Sequence, residues 1–309
     1  MVYYSSEYSD EMRFAAVDVG SNAVRLLLCH VHEQGGETLF KKSELIRIPI
    51  RLGEDVFTLK YITGEKAHKL VQTMKAFKIL IDVFEAFDYR ACATSAMREA
   101  SNGSEIVSRI KKEAGLNLEI IEGGLEAQII YSNHIAESLD QNSAYLYIDV
   151  GGGSTELTLF NEGKQIVSRS FDIGTIRLLH NKVSKEYWND FKEWIRIHTK
   201  GLNNVTAIGS GGNINKIFKM MKRKEGKPIL FHELRSMYEA IGAYSYEERI
   251  QVLGLNPDRA DVIIPAAKVF LTVMKNAAIE KILVPQIGLS DGLIHLLYEK
   301  YKANISQVG

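Results

Sequence analysis

The stretch that decides the fold is "YLYIDVGGGSTELTLF", residues 145–160. An apolar run leads into Asp149, three glycines follow, then Ser154, Thr155 and Glu156, and apolar residues resume. Apolar, partly β-branched segments on both sides of a glycine cluster read as strand, turn, strand. The turn interrupts a buried strand with the residues best able to expose bare backbone, and it sets carboxylates on both sides. Upstream, "AAVDVGSNAVRLLL", residues 15–28, repeats the arrangement. Asp18 and Asp149 each precede Val-Gly, and two leucines recur at matching offsets. An internal echo of this kind predicts two related halves facing each other.

Glycine lets a loop aim several N–H groups at one point with no side chain in the way. Such a nest binds anions, phosphate above all. The candidates are Gly20, Ser21 and Asn22; Gly151, Gly152, Gly153 and Ser154; and Gly209, Ser210, Gly211 and Gly212 ahead of a helix beginning near Asn213. Asp18 and Asp149 end their strands beside two of these turns, and Glu156 returns seven residues after Asp149. Carboxylates and phosphate repel unless a cation lies between them. Mg²⁺ is the hard cation that joins few carboxylates to phosphate oxygens, so the pattern predicts Mg²⁺-assisted phosphoryl chemistry with Asp18, Asp149 and Glu156 at the metal.

Composition narrows the partners. The 309 residues carry as many Lys and Arg as Asp and Glu, a formal net charge of zero. No global field draws such a chain to DNA or to an acidic membrane. The start, "MVYYSSEYSDEMRF", lacks a basic segment followed by an apolar one, and no apolar run reaches membrane-spanning length. A cytoplasmic setting is expected. Cys29 and Cys92 lie in apolar strand-like runs and read as small buried hydrophobes. Elsewhere the periodicity predicts helices over residues 66–87, 104–114, 125–139, 188–200, 231–244, 246–253 and 257–278, with a final strand and helix.

Taken in order, "AAVDVGSNAVRLLL", "ATSAMREASNG", "EGGLEAQIIY", "YIDVGGGSTELTL", "AIGSGGNINKI", "NPDRADVIIPAAKVF" and "GLSDGLI" resemble the motifs of the exopolyphosphatase/guanosine pentaphosphate phosphohydrolase (Ppx/GppA) family. The resemblance implies an α/β fold of two actin/hexokinase/Hsp70-like (ribonuclease H-like) domains, each on a five-stranded mixed sheet, with a cleft between. The first domain is expected over residues 1–127 with 294–309 returning to it, the second over 128–293. It also implies that Glu126 is the general base and Arg98 the phosphate-binding arginine, with Ser95 as a further donor. Leu125 stands where the family usually has a second glutamate. From the residues alone, Glu126 is a carboxylate in the first turn of a helix, where the dipole favours it, and Arg98 is an arginine at a loop edge.

The reaction so implied is hydrolysis of the terminal phosphoanhydride of polyphosphate, or of guanosine pentaphosphate, by a homodimeric enzyme. Longer members carry a further helical domain, and the length of this sequence favours a short-form exopolyphosphatase. Two other readings are an ATP-using phosphotransferase and a non-catalytic alarmone or nucleotide sensor. A long polyanion calls for a basic path; the candidates are Lys216, Lys219, Lys222, Arg223, Lys224, Arg169 and Arg177.

Overall fold

The computed structural model describes residues 11–131, 140, 143–202 and 204–306. Two sheets carry the fold. In the first, β1 (Met12–Val19), β2 (Val24–Gln34), β3 (Glu37–Ile48), β4 (Asp88–Ala93) and β5 (Leu118–Ile120) lie in the order β3-β2-β1-β4-β5. β1, β2 and β3 form an antiparallel meander, and β4 and β5 add in parallel beyond β1. In the second, β6 (Ala144–Val150), β7 (Thr155–Asn161) and β8 (Lys164–Phe171) form the same meander, with β9 (Thr206–Ser210) and β11 (Lys281–Leu283) parallel beyond β6. The echo in the sequence is thus a repeat in topology. The second sheet is not five-stranded as expected: the two-residue β10 (Ile229–Leu230) pairs antiparallel with β11, making the order β10-β11-β9-β6-β7-β8.

Both faces of each sheet are covered, which is why the central strands read as apolar runs rather than alternations. On β1, Ala15, Val17 and Val19 face a cluster completed by the helix Gly64–Val83 through Leu70, Met74 and Phe77. Phe14 and Ala16 face the other way. There they meet Tyr147, Phe160 and Ile208 of the second sheet, together with Leu289, Leu293, Ile294 and Leu297 of the C-terminal helix Leu289–Ser306. This third cluster joins the two sheets. Gly292 lies so close to the helix Gly123–Tyr131 that an added Cβ would strike the Ile129 carbonyl. The C-terminal helix therefore fixes the helix that carries Glu126.

Two helix expectations change. The helix expected over 257–278 is broken into Pro257–Ala260 and Ile263–Asn276. Pro265 offers no N–H and its ring crowds the carbonyl four residues back, at Asp261, so a continuous helix cannot pass. The helix expected over 66–87 spans Gly64–Val83, and Glu85 at φ 53° turns the chain toward β4. That expected over 125–139 is seen as Gly123–Tyr131; its remainder lies outside the described residues. Among the described residues no helix is long and apolar enough to cross a membrane.

Candidate active site

The ends of β1 and β6 open on a common cavity of about 350 Å³ between the two sheets. From the first sheet it takes Asp18, Gly20, Ser21, Asn22, Ser95 and Glu126, and from the second Asp149, Gly151, Gly152, Ser154, Glu156, Gly211 and Gly212. The two hairpin turns nearly touch: a Cβ on Gly152 would lie 2.9 Å from the Ser21 Cβ and 3.3 Å from the Asn22 nitrogen. Only glycine permits that approach. Gly211, at φ 104°, adopts a backbone open to glycine and strained for other residues.

The turns are held from behind in the same way. Arg51 and Gly53, at the start of the helix Leu52–Leu59, donate their amides to the Asn22 and Ser21 carbonyls at 2.9 and 2.8 Å. Thr175 and Ile176, at the start of the helix Thr175–Leu179, donate to the Gly151 and Gly152 carbonyls at 3.0 and 2.9 Å. A trans peptide points its N–H opposite its C=O. Anchoring these carbonyls therefore turns the amides of Asn22, Ala23, Gly152 and Gly153 away from the helices. The amides of Gly20 and Gly151 close their own turns onto Ala23 and Ser154, so they are not part of the donor set. Gly153 does not line the cavity; its carbonyl accepts from Arg177 Nε at 2.7 Å.

The register sets the charges. Asp18 lies opposite Arg25, and the two form an ion pair at 2.5 Å. Asp149 lies opposite Glu156, so the second hairpin sets two carboxylates side by side. Burial, then the Glu156 charge, pushes the Asp149 carboxyl up to about 7, with Arg25 opposing. Glu156 is also raised by burial, against the hydroxyls of Ser154 and Ser170; the latter donates to its Oε1 at 2.9 Å. Glu126 is raised well above the usual carboxylate range by burial and then by Glu156, Asp149 and Asp18. Its Oε2 is buried and has no hydrogen-bond partner. Arg98 lies near enough to pull Glu126 and Glu156 down electrostatically, while its Nη1 donates to the Ile121 carbonyl at 2.8 Å. Ser95 bonds Ser21 across the first turn, Oγ to Oγ, at 2.9 Å. Leu125 is 40 % exposed and does not line the cavity, so its replacement of a glutamate removes no charge from the site.

Six cationic side chains also line the cavity: Arg25, Lys42, Arg47, Lys216, Lys219 and Arg259. Sequence reasoning gave Arg47, Arg51 and Arg259 no role, yet Arg47 and Arg259 line the cavity and Arg51 ties the first turn to Asp261 behind it. Arg47 is bridged to Asp258, and Arg51 reaches Asp261 at 2.6 Å. Arg259, between those two aspartates in sequence, donates to the Gly212 carbonyl and faces the cavity. Burial, then crowding by Arg47 and Arg25, pulls its guanidinium down to about 10. The signal was present in "NPDRAD", whose two acids flank a base, but their partners lie over 200 residues away. Of the basic path, Lys216 and Lys219 reach the cavity. Lys222, Arg223 and Lys224 line a different concavity. Arg177 is buried, pinned to Glu99 at 2.5 Å and stacked on Phe57, and Arg169 lies over Phe171. Neither belongs to a path.

The carboxylates suit a cation that needs few of them. Among the described residues, no three His, Cys, Asp or Glu side chains converge tightly enough to hold an ion unaided. Mg²⁺ keeps several waters and takes one or two carboxylates plus substrate oxygens, so it does not need three converging acids. The surplus of raised acids is itself what a divalent charge relieves.

Comparison with known proteins gives the family and the fold. The Exopolyphosphatase 1 of Mycobacterium tuberculosis is 25% identical over 92% of this chain and 87% of its own length. A bifunctional 3-dehydroquinate synthase/phosphatase of Fusobacterium nucleatum is 28% identical over 84% of this chain, which spans only 42% of that protein. A guanosine-5'-triphosphate,3'-diphosphate pyrophosphatase of Pseudoalteromonas translucida is 22% identical, and 61% of its length is covered. Among solved structures, the Aquifex aeolicus Ppx/GppA family member superposes with a TM-score of 0.73 at 25% identity, over 95% of this chain and 99% of that one. An exopolyphosphatase of Cytophaga hutchinsonii shares the fold with a TM-score of 0.78 at 22% identity, over 94% and 98%. The sequence profile of the Ppx/GppA phosphatase family matches residues 36–300, and with the paired hairpins and shared acidic cleft this places the chain in that family, as a hydrolase of phosphoanhydride bonds.

Proposed function

We propose that the protein is an exopolyphosphatase, which releases orthophosphate from the end of inorganic polyphosphate with Glu126 as general base. The observation that carries this is the make-up of one cavity. Five carboxylates, Asp18, Glu126, Asp149, Glu156 and Asp291, share it with six cationic side chains and three glycine turns, and no aromatic ring is among its described lining residues. A site for a guanine base would gain from a ring to stack on. A site for phosphate alone needs only charge and donors.

The terminal phosphoryl group lies against the amides of Asn22, Gly152 and their neighbours. Arg98, Arg25 and Arg259 offset the charge that builds on its oxygens. Glu126 holds a water on the side away from the chain and takes its proton as the water oxygen bonds to phosphorus. The bridging P–O bond breaks, and its electron pair stays on the shortened polyphosphate. A Mg²⁺ ion held by one or two of Asp149, Glu156 and Asp18 would neutralise phosphate charge and let the crowded carboxylates ionise. That last effect matters because burial and the neighbouring acids favour the protonated form of Glu126, which cannot take a proton from water until those charges are offset. Positioning and electrostatics carry most of the rate in phosphoryl transfer.

Orthophosphate release from polyphosphate, with and without Mg²⁺, tests the proposal beside the Glu126→Gln variant. Removal of a general base is expected to lower kcat by roughly 10²–10⁴-fold with substrate binding kept. Retention of most activity would end the assignment of Glu126. Release from guanosine pentaphosphate but not from polyphosphate would replace the substrate.

A further inference from the structure

The helix Gly212–Met220 starts in the cleft and leads out of it. Lys216 and Lys219, three residues apart and so on one face, line the cleft. Nine residues carry the chain about 13 Å along the helix axis. Just past its end a second concavity of about 610 Å³ opens, lined by Met221, Lys222, Arg223, Lys224, Lys227 and Met237. Its charged lining is entirely cationic. Arg223 is bridged to Glu233, whereas Lys222, Lys224 and Lys227 make no ion pair among the described residues. Left-handed backbone at Lys222 (φ 51°) and Gly226 (φ 75°) bends the loop around the hollow. The negative end of the helix explains a lysine in or just after its last turn, as at Lys219 and Lys222. It does not reach Lys224 or Lys227. Glu225 in the same loop and Glu233 at Arg223 offset part of this charge, and a bound polyanion would offset the positive excess that remains.

We infer that this hollow is a distal subsite for the substrate chain, gripping phosphates several units away from the one cleaved in the cleft. The inference rests on the reading of the cleft as a site for the end of polyphosphate. Lys216 and Lys219 continue the positive charge from one site to the other. Ammonium groups suit the role because they act as point charges and need no fixed geometry toward a flexible phosphate chain. Met221 and Met237 supply an apolar floor for the lysine stems. A substrate held wholly in the cleft gains nothing from the hollow, so the subsite discriminates by chain length.

The test is binding of a long polyphosphate and of tripolyphosphate, measured across a salt series with a chelator present so that nothing turns over. The variant replaces Lys222, Lys224 and Lys227 by Ala; a control replaces Lys182, Lys185 and Lys200, which lie outside both hollows. The first is expected to weaken long-chain binding by about tenfold or more. Its salt slope should be shallower by about 0.7 for each phosphate left without a lysine to neutralise it. Tripolyphosphate binding should be unchanged, and the control should bind both like the wild type. Long-chain affinity within about twofold of wild type, or an equal drop in the control, would overturn the subsite. Orthophosphate release, assayed separately with Mg²⁺, keeps the two claims apart. No release from any polyphosphate would sink the proposed activity while a length-dependent weakening of binding upheld the subsite, and release with unchanged binding would do the reverse.

Discussion

The two hairpins that meet in the cleft share a register and an opening aspartate, and they differ at one position opposite it. In the β1–β2 hairpin that position is Arg25, and Asp18 is neutralised on its neighbouring strand. In the β6–β7 hairpin it is Glu156, and Asp149 is left beside another buried acid. One copy of the repeat is electrostatically satisfied by its own fold; the other eases its crowding by keeping a proton on Asp149. The lesson is that a duplicated backbone can hold two different jobs. In the first hairpin Arg25 offsets the charge of Asp18, and in the second Asp149 and Glu156 crowd each other, a repulsion that the proposed cation would relieve.

Attacking the unsatisfied copy gives the largest expected effect. Asp149→Asn should lower Mg²⁺-dependent orthophosphate release by about 10²–10³-fold. The same change should raise the metal-free melting temperature at pH 8. A variant both active and no more stable would erase the contrast between the hairpins. The opposite outcome is expected from the satisfied copy. Arg25→Met leaves Asp18 buried and unpaired and should destabilise the fold by roughly 1–3 kcal/mol, below the range for fully buried pairs because Arg25 is 28% exposed. Denaturant unfolding of both variants side by side reads this directly.

A pH series sharpens the comparison further. The native state holds the Asp149 proton more tightly than the unfolded chain, because its carboxyl is raised to about 7. The stability linked to it is therefore complete below the unfolded value, near 4, and is lost as pH rises through about 7. Metal-free protein should melt a few degrees lower at pH 8 than at pH 5.5 for this reason, and Asp149→Asn should flatten the difference. Saturating Mg²⁺ should shrink it as well. The smallest effect is expected from the clasp between the halves. Arg51→Ala removes the bond to Asp261 and should raise KM severalfold with little change in kcat, since Arg51 lies behind the first turn and outside the cavity lining.

Much of the site was legible in the chain itself. Asp-Val-Gly after an apolar strand appears twice, and local chemistry suffices to make each a hairpin with a glycine tip. The break at Pro265 was also there to be read, from a proline inside an apolar periodic run. The basic residues were not. Arg169 and Arg177 look like Lys216 and Lys219 in sequence, yet Arg177 is buried as a brace behind Gly153 while Lys216 and Lys219 face the cavity. Arg47 and Arg51 find their partners 211 and 210 residues away. No periodicity or spacing encodes such a pairing.

The sequence by itself determined the pieces: two strand-turn-strand units, their acids, and the glycines that leave their tips bare, because strand alternation and turn chemistry act over a few neighbouring residues. Only the tertiary structure decided that Gly152 approaches Ser21, that Glu126 buries an unpartnered oxygen beside Asp149 and Glu156, and that Arg259 enters the same cavity. The physical reason is that charge and burial depend on distance through space. A carboxyl has an ordinary affinity for its proton until packing removes water and brings a second carboxyl beside it.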